Sequence, residues 1–199
     1  MPAKTWIVTA TLDADKGADT VRRAWAVGGI PADIYVSVDA KHEGGVKTAN
    51  RALKAAVSTP ALYIAYINDD IEAFPQNWLR RMIEALGSSL HYGAAGPSGK
   101  CGTWPQQSGR RGMPAKVTQV DRLSFFVVVF KREVLEQVGL LDERFIHYAC
   151  DGDYCMRMKL LGWQPVWVQD VWVEHRRSPI VRDWKVHDVA EFRKKWHRS

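Results

Sequence analysis

The run Ala61-Leu62-Tyr63-Ile64-Ala65-Tyr66-Ile67-Asn68-Asp69-Asp70 decides the fold. Its first seven residues are apolar or aromatic, as in a buried strand, and it stops on three residues that favour turns. Two further β-rich runs precede it, Thr5–Ala10 and Ile34–Val38, and segments of helical spacing separate the three. That alternation specifies an α/β chain with a mostly parallel central sheet flanked by helices. Between the second and third runs Val46, Ala49, Leu53 and Ala56 or Val57 recur every three to four residues, one buried helical stripe entered through Gly44-Gly45. After the third run Pro75 suits the first turn of a helix reaching about Leu86, with Trp78, Leu79, Met82, Ile83 and Leu86 inward.

Beyond Tyr92 the composition changes. Gly93 to Lys116 is rich in Gly, Pro, Ser, Gln and Arg and reads as one long loop, a feature that in compact domains is usually functional or mobile. Ser124–Phe130 reads as a strand and Arg132–Val138 as a short helix stopped by Gly139. Asp153–Leu161 reads as a helix with Tyr154, Cys155, Met158 and Leu161 on one face, stopped by Gly162. Short strands Gln164–Val168 and Val171–Val173 then lead to His175.

The chain has 199 residues, which suits one domain burying roughly 70% of its unfolded surface. Apolar residues at 46% and charged residues at 25% exclude a disordered polypeptide. The apolar stretch Trp6–Ala10 is too short for a secretion signal, and no run approaches the ~20 residues of a membrane span, so the expected compartment is the cytoplasm. Cys101, Cys150 and Cys155 form no Cys-x-x-Cys and match no zinc spacing, so they are expected as reduced thiols. The net charge of +6 is concentrated at the end: Arg176 to Ser199 carries eight Lys/Arg against Asp183, Asp188 and Glu191. Such a tail suits an anionic partner, such as a nucleotide diphosphate, a nucleic acid or an anionic lipid head group, or is simply a solvated helix.

Three groups of residues can carry chemistry. Asn68-Asp69-Asp70 stands at the carboxyl end of a strand, where open α/β sheets place ligands and where carboxylates can hold a hard cation against phosphate oxygens; an Asp-rich turn also caps helices. Asp151-Gly152-Asp153 precedes a helix. There an Asp is either an N-cap or a carboxylate placed for general-base work, and Asp153 has Arg157 four residues on as an ion-pair partner. His175, at a strand end, is either an ordinary histidine or an imidazole ligand for a divalent cation.

In order and spacing these pieces resemble the family 2 glycosyltransferases. Val36-Ser37-Val38-Asp39, Gly45 through Asn50 to Leu53, and Tyr66-Ile67-Asn68-Asp69-Asp70 followed by Pro75 to Leu79 are similar to that family's donor half. Phe130 to Phe145, Cys150-Asp151-Gly152-Asp153-Tyr154-Cys155-Met156-Arg157, Gly162-Trp163 and Phe192 to Trp196 resemble its acceptor half. The resemblance implies the Rossmann-like GT-A fold as one domain over 1–199. Within it, 1–92 would bind a nucleotide-sugar donor, 93–175 would form the acceptor and catalytic half, and 176–199 would be a basic tail.

It further implies that Asp151 is the general base of an inverting transfer. Thr11, Asp39, Asn50, Asn68 and Asp69 would bind the donor, and Asp70 with His175 would hold Mn2+ or Mg2+. The loop from Gly93 becomes an acceptor-side flap, where Trp104 either stacks on a sugar or base or packs on the core. Two positions depart from the family pattern: Asn68 replaces the first Asp of D-x-D, and Cys150 replaces the Glu before the catalytic Asp. These departures motivate a rival, a sugar-nucleotide binder without transfer. The basic tail with Trp172, Trp184 and Trp196 motivates a nucleic-acid-binding module, or a glycosyltransferase acting on hydroxylated bases in DNA. A saccharide, lipid-linked or protein acceptor fits the sequence equally.

Overall fold

A computed structural model describes residues 5–100, 102, 104–176 and 181–196. The chain begins with β1 (Thr5–Thr11), α1 (Ala14–Ala26), β2 (Asp33–Val38), α2 (Gly45–Val57) and β3 (Tyr63–Asn68). It continues through β4 (Ile71–Ala73), α3 (Trp78–Gly87), β5 (Tyr92–Ser98), β6 (Val117–Gln119), β7 (Val127–Lys131) and α4 (Arg132–Val138). It ends with α5 (Cys150–Leu160), β8 (Gln164–Trp172), β9 (Glu174–His175) and α6 (Arg182–Trp196).

Seven strands form one mixed sheet in the order β2-β1-β3-β7-β5-β8-β6. Strands β2, β1, β3, β5 and β8 run one way; β7 and β6 run the other. Side chains that alternate along each strand feed a separate core on each face of the sheet. In β7, Val128 and Phe130 pack with Leu53, Val134, Tyr154 and Met158 of α2, α4 and α5. Val127 and Val129 instead join Ile7, Trp78, Leu79 and Met82 beneath α1 and α3. The expected α/β layering is present.

Four expectations change. The segment from Gly93 is not loop throughout: Tyr92–Ser98 is an internal strand with Ala94 and Ala95 fully buried. Its small residues are a packing requirement, because a Cβ at Gly93 would lie 2.7 Å from Val134 and one at Gly96 would lie 2.8 Å from Leu123 and Gln106. Loop begins only after Ser98, and it leaves Trp104 exposed rather than packed on the core. Next, α3 starts at Trp78, after Asn77 in the left-handed region at φ 59°, so Pro75 precedes the helix. Helix α5 starts at Cys150 behind a left-handed Ala149, which puts Asp151 in the first turn rather than at the N-cap. Finally, β8 is continuous across the two strands read from sequence, with a register irregularity between its pairings Pro97↔Val168 and Ser98↔Trp172.

The C-terminal segment is not a free tail. Lys195 Nζ sits 2.7 Å from Asp142 and 2.6 Å from Asp153, and Trp196 Nε1 donates to Asp153 at 2.9 Å. Asp153 is fully buried, so its pair with Arg157 at 2.9 Å is an interior one. The basic residues Arg182, Lys185, Arg193 and Lys194 remain exposed on α6. Cys101, Arg177 and the last three residues lie outside the described residues.

Candidate active site

Strands β1, β2 and β3 run parallel and end together, which gathers Thr11, Asp39 and Asn68-Asp69-Asp70 at one edge of the sheet. Thr11 Oγ1 donates to Asp69 Oδ2 at 2.6 Å, and Lys16 Nζ, from the first turn of α1, lies 3.1 Å from Asp69 Oδ1. Asp39 is buried, and its two oxygens accept the N–H groups of Glu43 at 2.8 Å and Gly44 at 2.9 Å. Burial alone would raise its pKa, but those N–H groups and the charge of Arg51 hold it below the ordinary aspartate value, so Asp39 is an anion at neutral pH.

Asp70 leaves β3 just before β4, and β4 pairs antiparallel with β9 so that Ile71 faces His175. This small ladder brings His175 Nε2 to 3.0 Å from Asp70 Oδ1, each side chain only 10% exposed. The ring of Phe126 stacks on His175 with centroids 5.1 Å apart. Two residues more than a hundred positions apart in sequence thus meet.

Asp151 projects from the first turn of α5, and its Oδ1 accepts Gly152 N–H at 2.7 Å. Desolvation pushes its pKa above the ordinary aspartate value. The N–H groups of Gly152 and Phe125 and the charge of Arg122 pull the other way without cancelling it. Asp151 shares a cleft of about 250 Å³ with Asn68 and His175. His147 and Tyr148 form a wall of this cleft, and Tyr66 and Phe126 supply apolar surface.

The structure therefore brings Asn68, Asp151 and His175 together, with Asp70 touching His175. Thr11, Asp39, Asn50 and Asp69 do not line that cleft. Asn50 is turned elsewhere: its amide donates to Leu141 O at 2.9 Å and to Glu143 at 3.0 Å, and its oxygen accepts Leu141 N–H, tying α2 to the segment before α5. Lys16, His147, Tyr148 and Asp188 were not singled out from the sequence. Lys16 carries a signal in hindsight, a lone cation one turn into the helix that follows Thr11.

The donor set for a metal is a pair. Among the described residues no three His, Cys, Asp or Glu side chains converge. Asp70 and His175 nevertheless fit a divalent cation such as manganese, since a carboxylate and an imidazole are acceptable ligands and phosphate oxygens and water can fill the other positions. Their mutual approach in one nearly buried pair is the observation behind that fit.

No family model matches the chain. It is similar to an uncharacterised protein of Sinorhizobium fredii, y4gI, at 24% identity over 64% of this chain and 19% of that one, so it spans about a fifth of that relative. No helix among the described residues is long and apolar enough to cross a membrane. Solved structures resemble it more fully. A mannosyltransferase from Pyrobaculum calidifontis in complex with GDP-Man and Mn2+ superposes at a TM-score of 0.68 and 13% identity, covering 100% of this chain and 65% of that one. GalNAc-T7 with UDP, GalNAc and Mn2+ gives 0.59 and 12%, covering 86% and 43%. A197 from STIV gives 0.55 and 12%, covering 89% and 87%. The mixed seven-stranded α/β sheet and these neighbours establish the fold as that of the GT-A glycosyltransferases.

Proposed function

We propose that this protein is a metal-dependent, inverting glycosyltransferase resembling family 2, with Asp151 as the general base. The observation that carries the reading is the shared cleft: a carboxylate with a raised pKa lines a space of about 250 Å³ together with Asn68 and His175, and His175 in turn touches Asp70. Asp39 and Asp69, with Thr11 and Lys16 bracing Asp69, would hold the nucleoside and ribose or phosphate of the donor at the strand ends. Asn68 would hydrogen-bond the donor without adding charge. Asn50 would act indirectly, by fixing the 141–143 backbone.

Transfer is one displacement. The acceptor oxygen bonds to the anomeric carbon as the bond from that carbon to the diphosphate oxygen breaks, with its electron pair leaving on the diphosphate. The acceptor proton passes to Asp151, and attack from the opposite face inverts the centre. Asp70 and His175 would hold a divalent cation, which supplies positive charge where the diphosphate departs. Asp151 must be ionised to accept the proton. Because its folded pKa is raised, activity is expected to fall on the acid side at a pH above the usual aspartate range, read as the acid limb of a kcat/KM profile, which reports the free enzyme.

Binding is tested by thermal shift against UDP-, GDP- and dTDP-sugars, with and without manganese. A ligand that binds only the folded state stabilises it by RT ln(1 + [L]/Kd), so at 100 Kd the expected gain is about 2.7 kcal/mol. One or more donors are expected to raise the midpoint, and more so with manganese. No rise with any donor would overturn the glycosyltransferase reading.

A further inference from the structure

His147 and Tyr148 form a wall of the cleft just before α5 and Asp151, and the segment Ile146–Tyr148 that carries them is gripped from both sides. Three successive N–H groups converge on one carboxylate of α6. Asp188 Oδ1 accepts from Ile146 at 2.9 Å, and Oδ2 accepts from His147 at 2.8 Å and Tyr148 at 2.6 Å. Consecutive backbone donors of this kind make an anion nest. Here the anion is a side chain with no exposed surface.

On the other side stands the entrance to α2. Val46 N–H donates to Ile146 O at 3.0 Å. Gly44, at φ +103°, leaves room that a Cβ would close to 2.8 Å from the same oxygen, and a Cβ on Gly45 would lie 2.6 Å from His147 Nδ1. Tyr148 Oη also accepts Val181 N–H at 2.9 Å at the start of α6. The far end of α6 is fixed by Lys195 and Trp196 to Asp153, two residues beyond Asp151. The donor-side carboxylates Asp39 and Asp69 are held instead by groups of β1, α1 and the entry to α2.

We propose that Asp188 is a positioning residue for transfer: by holding the 146–148 wall it sets how the attacking hydroxyl meets Asp151, without contributing to donor binding. This rests on the glycosyltransferase reading. Replacing Asp188 removes the acceptor for three backbone donors, and displacement of reacting groups by about 1 Å can cost on the order of 10²-fold in rate.

The test compares full-length wild type, Asp188→Ala and Asp188→Asn in manganese-dependent hydrolysis of UDP-glucose, UDP-N-acetylglucosamine and GDP-mannose, with water as the acceptor. For a donor that is turned over, donor KM should stay within about twofold while kcat falls roughly 10²-fold in Asp188→Ala. Asp188→Asn keeps one accepting oxygen and should lie between. Calorimetric titration with the matching nucleoside diphosphate and manganese should still give full stoichiometry in both variants. Unchanged kcat, a change confined to donor KM, or a kcat loss matched by lost stoichiometry overturns the positioning role. Wild type that neither binds nor hydrolyses any of the three donors overturns the glycosyltransferase reading itself, and this role with it.

Discussion

Asp151→Asn is expected to lower transfer by about 10²- to 10⁴-fold, the range lost with a general base, while leaving donor binding in place. The amide keeps one oxygen for the Gly152 N–H that now reaches Asp151 at 2.7 Å, so the first turn of α5 need not move. Stability gives an independent sign. Folding raises the pKa of Asp151, so the folded state holds that proton more tightly than the unfolded chain. Its contribution to stability is therefore greatest below the unfolded pKa and declines as pH rises through the folded value. At neutral pH the carboxylate is a burden that the neutral amide removes. The variant should melt no lower than wild type at pH 7, by differential scanning fluorimetry, while its turnover collapses. A parallel loss of midpoint and turnover would point to a structural role instead.

Asp70→Ala is the second large effect. On the proposed reading Asp70 and His175 would be the protein's two ligands among the described residues, so removing one would leave an imidazole and the donor phosphates. Even the loss of an outer partner of a metal ligand costs roughly 10–100-fold in metal affinity, and loss of a ligand should cost at least that. The expected result is that manganese no longer increases the thermal shift given by a nucleotide sugar, while the metal-free shift persists. His175→Ala should behave alike, since it removes the other half of the pair. If manganese enhances donor binding equally in wild type and Asp70→Ala, the metal is held elsewhere.

Much of this site is legible in the sequence because its elements are local. The runs Thr5–Ala10, Ile34–Val38 and Ala61–Ile67 declare themselves by β-rich composition, and parallel pairing then gathers their ends without further information. The meeting of Asp70 with His175 is not local: it depends on the register of a two-residue strand against a three-residue one, which no periodicity marks. Strand β5 is hidden for a different reason. Its Gly and Pro read as loop, although Gly93 and Gly96 are small because neighbouring side chains leave no room for a Cβ. Helix α6 shows no apolar stripe, since the face it turns inward carries Asp188 and Lys195. Their partners lie about forty to fifty-three residues upstream, so a helix anchored to the segment around α5 reads as a solvated basic tail.

The exposed Arg182, Lys185, Arg193 and Lys194 keep an anionic acceptor in view, but the anchoring of α6 makes its removal a poor probe of that idea. Truncation would strip Asp153 of Lys195 and Trp196 and damage the fold. Single substitutions at the exposed cations, read as the salt dependence of acceptor binding, address it without that cost.

The most direct measurement is the anomeric configuration of the sugar first released when wild type hydrolyses an α-linked nucleotide sugar with manganese, followed by proton NMR faster than mutarotation. Single displacement by a hydroxyl or water activated at Asp151 predicts the β anomer. Release of the α anomer first, or no metal-dependent release at all, would contradict the account.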